Sequence, residues 1–205
     1  MIKNLLFDLG GVIVDIKRQR CVDAFTKLGL ADADSYFGEY SQSGIFFGIE
    51  DGSVSIDEFH RYMRDRLPAG VTDYQIDTAF QQFIVGIPTH RLETLRKLRC
   101  KGYGIYLLSN TNPIMWRGTL ANEFGKEGLR RQDYFDGMVT SFEARACKPD
   151  AKIFSAVVEN LGIEPSETLF LDDSRANVDA AIEFGFHAVE VKPGTEFIDY
   201  IPEKN

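Results

Sequence analysis

The sequence predicts an α/β fold, a mostly parallel sheet covered by helices on both faces with a block of helices inserted after the first strand. Three observations lead there. Short apolar runs bounded by polar loops recur at 4–7, 103–108, 138–140, 168–171 and 187–191. Such runs are what sheets covered on both faces require. Helical patterns alternate with them from residue 89 onward, the order of a parallel sheet with crossover helices. Between about 17 and 88 the pattern is mainly helical and too long for an ordinary crossover.

The first strand ends at Asp8, and Gly10-Gly11 then permits a tight turn. A second apolar run covers 12–16. Val22, Phe25 and Leu28 recur at one-turn spacing, and Gly29 is a stop signal. The stretch SYFGEYSQSGIFFGIEDG is aromatic and glycine-rich without clean periodicity. Ser55 followed by Glu58 is a capping-box signal, after which Phe59, Met63 and Leu67 share one helix face. Further helices are expected over about 73–83, 91–100, 114–124, 151–161 and 176–184. The domain division that follows is a core of 1–16 and 89–205 with a helical cap of 17–88.

The 205 residues suffice for one substantial core with a modest insertion. A formal net charge of -8 argues against a protein that grips nucleic acid or an anionic membrane. No basic aromatic tract suggests a nucleic-acid reader, and no apolar run reaches membrane-spanning length. The N-terminal run is broken by Asp8 and reads as a buried strand rather than a signal peptide. Cys21, Cys100 and Cys147 are widely spaced and odd in number, which fits reduced thiols in a cytoplasmic protein. A monomer or weak homodimer is expected.

The chemistry-bearing residues fall in one kind of place. Asp8, Ser109 and the pair Asp172-Asp173 each follow a predicted strand, and Lys148 sits in the loop before a core helix. In an open parallel sheet, ligands bind beyond the carboxyl ends of the strands. These residues therefore converge as a carboxylate nucleophile, a hydroxyl donor, a cation and metal-binding carboxylates. Adjacent uncompensated carboxylates repel each other, so a cation beside Asp172-Asp173 is expected.

Four segments carry a specific resemblance: FDLGGVIVD at 7–15, LLSNTN at 107–112, CKPDAKIF at 147–154 and LFLDDSRANVDAA at 169–181. In this order and strand placement they resemble the haloacid dehalogenase (HAD) superfamily. The resemblance implies a Rossmann-like core with a small helical (C1-type) cap. Within that superfamily the pattern is most similar to bacterial alpha-D-glucose-1-phosphate phosphatases. It implies a Mg2+-dependent phosphatase that hydrolyses a small phosphorylated metabolite, a sugar phosphate such as glucose 1-phosphate, through an aspartyl phosphate on Asp8.

The implied magnesium ligands are Asp8, the backbone carbonyl of Gly10 and Asp173, with Asp172 direct or water-bridged. Asn177 would support that loop. Ser109 would hold phosphoryl oxygens, and Lys148 would balance the nucleophile's charge. Gly11, Asn110 and Trp116 are expected at the phosphate or substrate, with Thr111 beside them. Asn112 before Pro113 is a helix-cap candidate, and Arg145 a solvent residue.

One departure stands out. Most phosphatases of the superfamily have a second aspartate two residues after the nucleophile as general acid–base, and here that position is Gly10. A cap residue or water takes the role, or the substrate has a good leaving group such as an anomeric oxygen, or the protein is not a hydrolase. Asp15 is expected as hinge support for the cap, less readily as a replacement acid. Tyr36, Tyr40, Phe46, Phe47, Glu50 and His60 are candidates for shaping the pocket. Packing within the cap is the ordinary reading of Phe46 and Phe47, and an exposed or interface position that of His60. The alternatives are a catalytically weak regulatory protein on the same fold and a metal-independent dehalogenase. The paired acids oppose the latter, as does the lack of an aromatic residue at position 10.

Overall fold

The computed structural model describes residues 1–38 and 42–202. Its core is one five-stranded sheet of β1 (Asn4–Phe7), β4 (Gly104–Ser109), β5 (Gly137–Thr140), β6 (Thr168–Asp172) and β7 (His187–Glu190). The spatial order is β5-β4-β1-β6-β7 and every pairing is parallel. β1 is central, with Phe7 opposite Leu107 on one side and Leu171 on the other. The strand ends that precede Asp8 and include Ser109 and Asp172 are therefore level with each other.

Alternation along the strands builds two cores. Leu5, Phe7, Ile105, Leu107, Leu169 and Leu171 face the side that continues into the inserted helices. Leu6, Leu108 and Phe170 face the other side, where Phe154 and Phe186 pack.

The insertion leaves the core through β2 (Asp15–Ile16) and returns through β3 (Ile84–Gly86), which pair antiparallel as a two-stranded ribbon. Between them lie α1 (Arg18–Leu28), α2 (Gly44–Glu50), α3 (Ile56–Arg64) and α4 (Asp73–Gln81). α1 stops at Gly29, which is left-handed (φ 106°). α3 carries the Ser55/Glu58 capping box, and α4 has a second one from Thr72 and Gln75. The cap has its own aromatic centre: Phe46 lies 5.2 Å from Phe25, 5.2 Å from Phe59 and 5.1 Å from Phe80, ring to ring. Tilted or edge-on pairs of this kind add to the burial of large apolar rings.

The remaining core helices are α5 (Thr89–Cys100), α6 (Pro113–Arg117), α7 (Thr119–Gly125), α8 (Arg131–Tyr134), α9 (Ser141–Ala144), α10 (Ala151–Leu161) and α11 (Arg175–Phe184). The single helix expected over 114–124 is two. Gln81 of the cap reaches the break, where its Oε1 accepts from the Thr119 amide at 2.7 Å and the Thr119 hydroxyl at 2.9 Å. A side chain at Gly118 would collide with that same Gln81 oxygen.

Three cap expectations change. His60 is buried rather than exposed, with Nε2 2.7 Å from Asp77 Oδ1 between α3 and α4. Phe47 is exposed rather than packed, while Phe46 is fully buried. The aromatic, glycine-rich stretch without periodicity contains α2. Tyr40 lies outside the described residues. Among those described, no helix is long and apolar enough to cross a membrane.

Candidate active site

The parallel ladder delivers the first carboxylate. The Asp8 amide donates to Leu171 O at 2.8 Å, so Asp8 is fixed as the residue just past β1. Its side chain meets Lys148, which enters from the loop before α10. Lys148 Nζ donates to Asp8 Oδ1 and Asp172 Oδ2, each at 2.6 Å, and lies 3.3 Å from Leu108 O. All three charged groups are buried. Burial alone would lower the Lys148 pKa, but the two carboxylates outweigh it and hold the lysine above its ordinary value. Burial pushes Asp8 upward against the pull of Lys148, and the like charges of Asp172 and Asp173 add to the rise.

Asn110 is the clamp that places this lysine. Its side-chain Oδ1 accepts from the Lys148 amide at 2.9 Å, and its Nδ2 donates to Lys148 O at 3.0 Å. Both ends of its amide are thus engaged by the lysine backbone, although Asn110 also lines the pocket. Ser109, at the end of β4, is buried and lines the pocket. Asn112 caps α6 through Oδ1, which accepts from the Met115 amide at 3.0 Å.

The paired acids after β6 are not equivalent. Asp172 is saturated by protein donors: Lys148 binds Oδ2, while the Ser174 amide (2.8 Å) and Asn177 Nδ2 (2.9 Å) bind Oδ1. A direct place for Asp172 on a metal is therefore disfavoured, and Asn177 does support the loop. Asp173 has no cationic partner within ion-pair distance among the described residues. Burial, then the Asp172 charge, pushes its carboxyl up to about 6. Oxygens of Asp8, Asp172 and Asp173 lie within 4.8 Å of one another. Hard carboxylate oxygens at this spacing, with Asp173 and the second Asp8 oxygen still available, suit a small divalent cation such as magnesium.

Gly11 makes this approach possible. It is left-handed (φ 75°), and a Cβ there would lie 2.0 Å from Asp173 Oδ2. Gly10 lines the pocket beside Asp8.

The cap forms the other wall through Gln42, Glu50, Phe83 and Ile84. It is held to the core by Ser141, which the sequence alone did not single out. Ser141 Oγ lies 2.7 Å from Glu50 O and 3.0 Å from Thr111 O, and accepts from the Thr111 amide at 3.0 Å. A serine after a strand has no local signal for such a role, because its partners are 91 and 30 residues away.

Other expected site residues fall elsewhere. Trp116 does not line the pocket; the Arg131 guanidinium stacks on its ring at 3.9 Å. Tyr36 is half-buried and packs on Phe46 of the cap's aromatic centre. Asp15, in β2 of the ribbon, pairs with Arg91 of α5 at 2.8 Å. Arg145 is exposed.

The comparisons agree with this geometry. A family model described as a haloacid dehalogenase-like hydrolase matches residues 2–185. The D-ribitol-5-phosphate phosphatase of Bacteroides thetaiotaomicron is 40% identical over 197 residues, covering 96% of this chain and 95% of that protein. A crystal structure of a HAD family enzyme from the same organism, in complex with magnesium and inorganic phosphate, superposes with a TM-score of 0.91 at 40% identity, covering 98% of this chain and 100% of that one. A HAD-like family hydrolase from Porphyromonas gingivalis gives a TM-score of 0.89 at 31% identity, over 98% of this chain and 96% of that one. The chain belongs to the haloacid dehalogenase-like hydrolase family, and its site is that of a magnesium-dependent phosphoric monoester hydrolase.

Proposed function

We propose that this enzyme removes phosphate from a small acyclic polyol phosphate or a closely related sugar phosphate, with Asp8 as the nucleophile. The observation that carries the reading is the placement of Lys148 between Asp8 and Asp172. It engages one Asp8 oxygen and leaves the other without a hydrogen bond to a described residue, in a pocket that Asp173 also lines.

Asp8 attacks phosphorus, the ester P–O bond breaks, and the alcohol leaves. Lys148 offsets negative charge on Asp8 and on the phosphoryl group. Ser109 and the backbone amides after β4 hold phosphoryl oxygens. Asn110 keeps Lys148 in place. A magnesium ion bound by Asp8, Asp173 and the Gly10 carbonyl would neutralise charge on the transferring phosphoryl group. Water then cleaves the aspartyl phosphate and frees Asp8.

Asp173 also favours the phosphatase over a metal-independent dehalogenase. A half-buried carboxylate beside Asp8, with no cation of its own, is costly to keep ionised unless a cation binds there. On the substrate, the named relative supports a pentitol phosphate over the hexose 1-phosphate implied by the sequence resemblance. Gln42 gives the cap wall a polar group suited to hydroxyls.

The test is phosphate release from a panel holding pentitol 5-phosphates, aldose 5- and 6-phosphates and hexose 1-phosphates, with magnesium. Turnover should be highest on the acyclic polyol phosphate and absent in Asp8→Asn and in chelator. Equal activity of wild type and Asp8→Asn across the panel rejects the reading.

A further inference from the structure

Gly10 leaves the first strand's turn without an acid, yet a polyol phosphate has a poor alkoxide leaving group. General acid–base assistance is typically worth about 10²–10⁴-fold. The space beside Gly10 is closed by an apolar side chain: a Cβ there would meet Ile16 Cδ1 at 3.3 Å and Cγ2 at 3.6 Å. Asp15 is turned to Arg91 and does not line the pocket. Among the described residues, the carboxyl groups lining the pocket are Asp8, Asp173 and Glu50. Asp8 is the nucleophile and Asp173 faces the metal position, so Glu50 is left.

We propose that Glu50, carried by the cap, is the general acid–base of this reaction. The inference rests on the phosphatase reading above and names the group that completes it.

Glu50 is 6% exposed, and its carboxyl makes no hydrogen bond to another described residue. Glu50 lines the pocket, so a carboxyl with no protein hydrogen bond there is free to meet a ligand. Its main chain is firmly held. Glu50 ends α2, and its carbonyl oxygen takes the Ser141 hydroxyl at 2.7 Å. Two residues on, Gly52 packs so tightly that a Cβ would lie 2.3 Å from Phe142 O. The cap thus presents Glu50 from a point tied to the core loop that holds Thr111.

Glu50 faces Lys148 and Cys147 from the loop before α10, Asp51 from its own segment, and Asp8 and Asp173 across the pocket. Burial pushes its carboxyl up to about 7, against the pull of Lys148 and with Asp51 adding to the rise. It can therefore hold a proton near neutral pH and release it.

The steps balance as follows. The Glu50 proton passes to the ester oxygen as Asp8 forms its bond to phosphorus and the ester P–O bond breaks. The alcohol leaves and Glu50 is a carboxylate. Glu50 then takes a proton from water as the water oxygen attacks the phosphoryl group. The bond to Asp8 breaks, inorganic phosphate leaves, and Glu50 is protonated again.

The test compares Glu50→Gln with wild type on a pentitol 5-phosphate and on p-nitrophenyl phosphate, whose leaving group needs no proton. Glutamine keeps the shape and the Ser141 contact, and thermal melting checks that the variant is folded. We expect kcat on the alkyl ester to fall about 10²–10⁴-fold with KM within a few-fold. On p-nitrophenyl phosphate we expect a rapid burst of about one equivalent of p-nitrophenol, then slow turnover, because deprotonation of water is lost. Unchanged kcat on the alkyl ester overturns the proposal. So does a loss confined to KM, which makes Glu50 a reader of substrate hydroxyls. If wild type itself cleaves neither ester, the phosphatase reading fails and takes this inference with it.

Discussion

Gly11 and Asp173 compete for the same space: any β-carbon on Gly11 would sit 2.0 Å from an Asp173 carboxylate oxygen. The absence of a side chain at one residue is what lets the other's carboxylate lie within 4.8 Å of those of Asp8 and Asp172. Gly11→Ala should therefore act through Asp173. We expect apparent magnesium affinity to drop about 10–100-fold, as when the support of a metal ligand is disturbed. The left-handed backbone (φ 75°) adds a stability loss of about 1 kcal/mol or more. Activity against magnesium concentration reads the first effect and thermal melting the second. Unchanged magnesium dependence would show that Asp173 does not hold the metal.

Lys148 is the shared counter-charge of Asp8 and Asp172. Lys148→Met leaves two buried carboxylates facing each other. Removing one partner of a buried ion pair costs about 3–5 kcal/mol. Adding Asp172→Asn should recover part of that stability and none of the activity. Denaturant unfolding of the single and double variants measures both. Full recovery of turnover in the double variant would contradict the role given to Lys148.

Glu50 links the site to pH. Its carboxyl is pushed up from the ordinary glutamate value of about 4.5 to about 7 in the folded protein, first through burial. A raised folded pKa means that the native state holds the proton more tightly than the unfolded chain. That contribution to stability is full below about pH 4.5 and is lost as pH rises through about 7. Glu50→Gln should then be more stable than wild type above pH 7, by an amount on the order of 1–3 kcal/mol that shrinks toward acid pH. Unfolding without added magnesium at several pH values tests this. A difference independent of pH would contradict it.

Ser141 joins cap to core through one hydroxyl. Ser141→Ala leaves the Thr111 amide without its acceptor and Glu50 O without its donor. A loss of about 1–3 kcal/mol is expected, together with a fall in kcat, because Glu50 and the loop after β4 lose a common anchor. Retained kcat in a destabilised variant would make Ser141 structural alone.

The elements that place the site were legible because their signals are local. β1 is a four-residue apolar run ended by Asp8, and α10 lies at 151–161 as its pattern predicts. The Ser55/Glu58 box marks the start of α3 as expected. What escaped depends on distant partners. The break at Gly118 is imposed by Gln81 of the cap. The burial of His60 follows from Asp77 on the next helix. Trp116 is expected at the substrate, but its ring is stacked by the Arg131 guanidinium and does not line the pocket. The β2–β3 ribbon has only five residues and pairs across the whole cap. Within the site, Asp8, Lys148 and Asp173 were visible because each abuts a strand or a proline turn. The inequality of Asp172 and Asp173 was not, since it rests on where Lys148 and Asn177 reach.

The most direct test of the central claim is rapid acid quench of the wild-type enzyme during turnover of a pentitol 5-phosphate with magnesium, followed by peptide mass spectrometry. A phosphoryl adduct on the peptide bearing Asp8, formed and lost at rates that support turnover and absent from Asp8→Asn, is the predicted result. Phosphate release that persists in Asp8→Asn, with no adduct in either protein, would contradict the account.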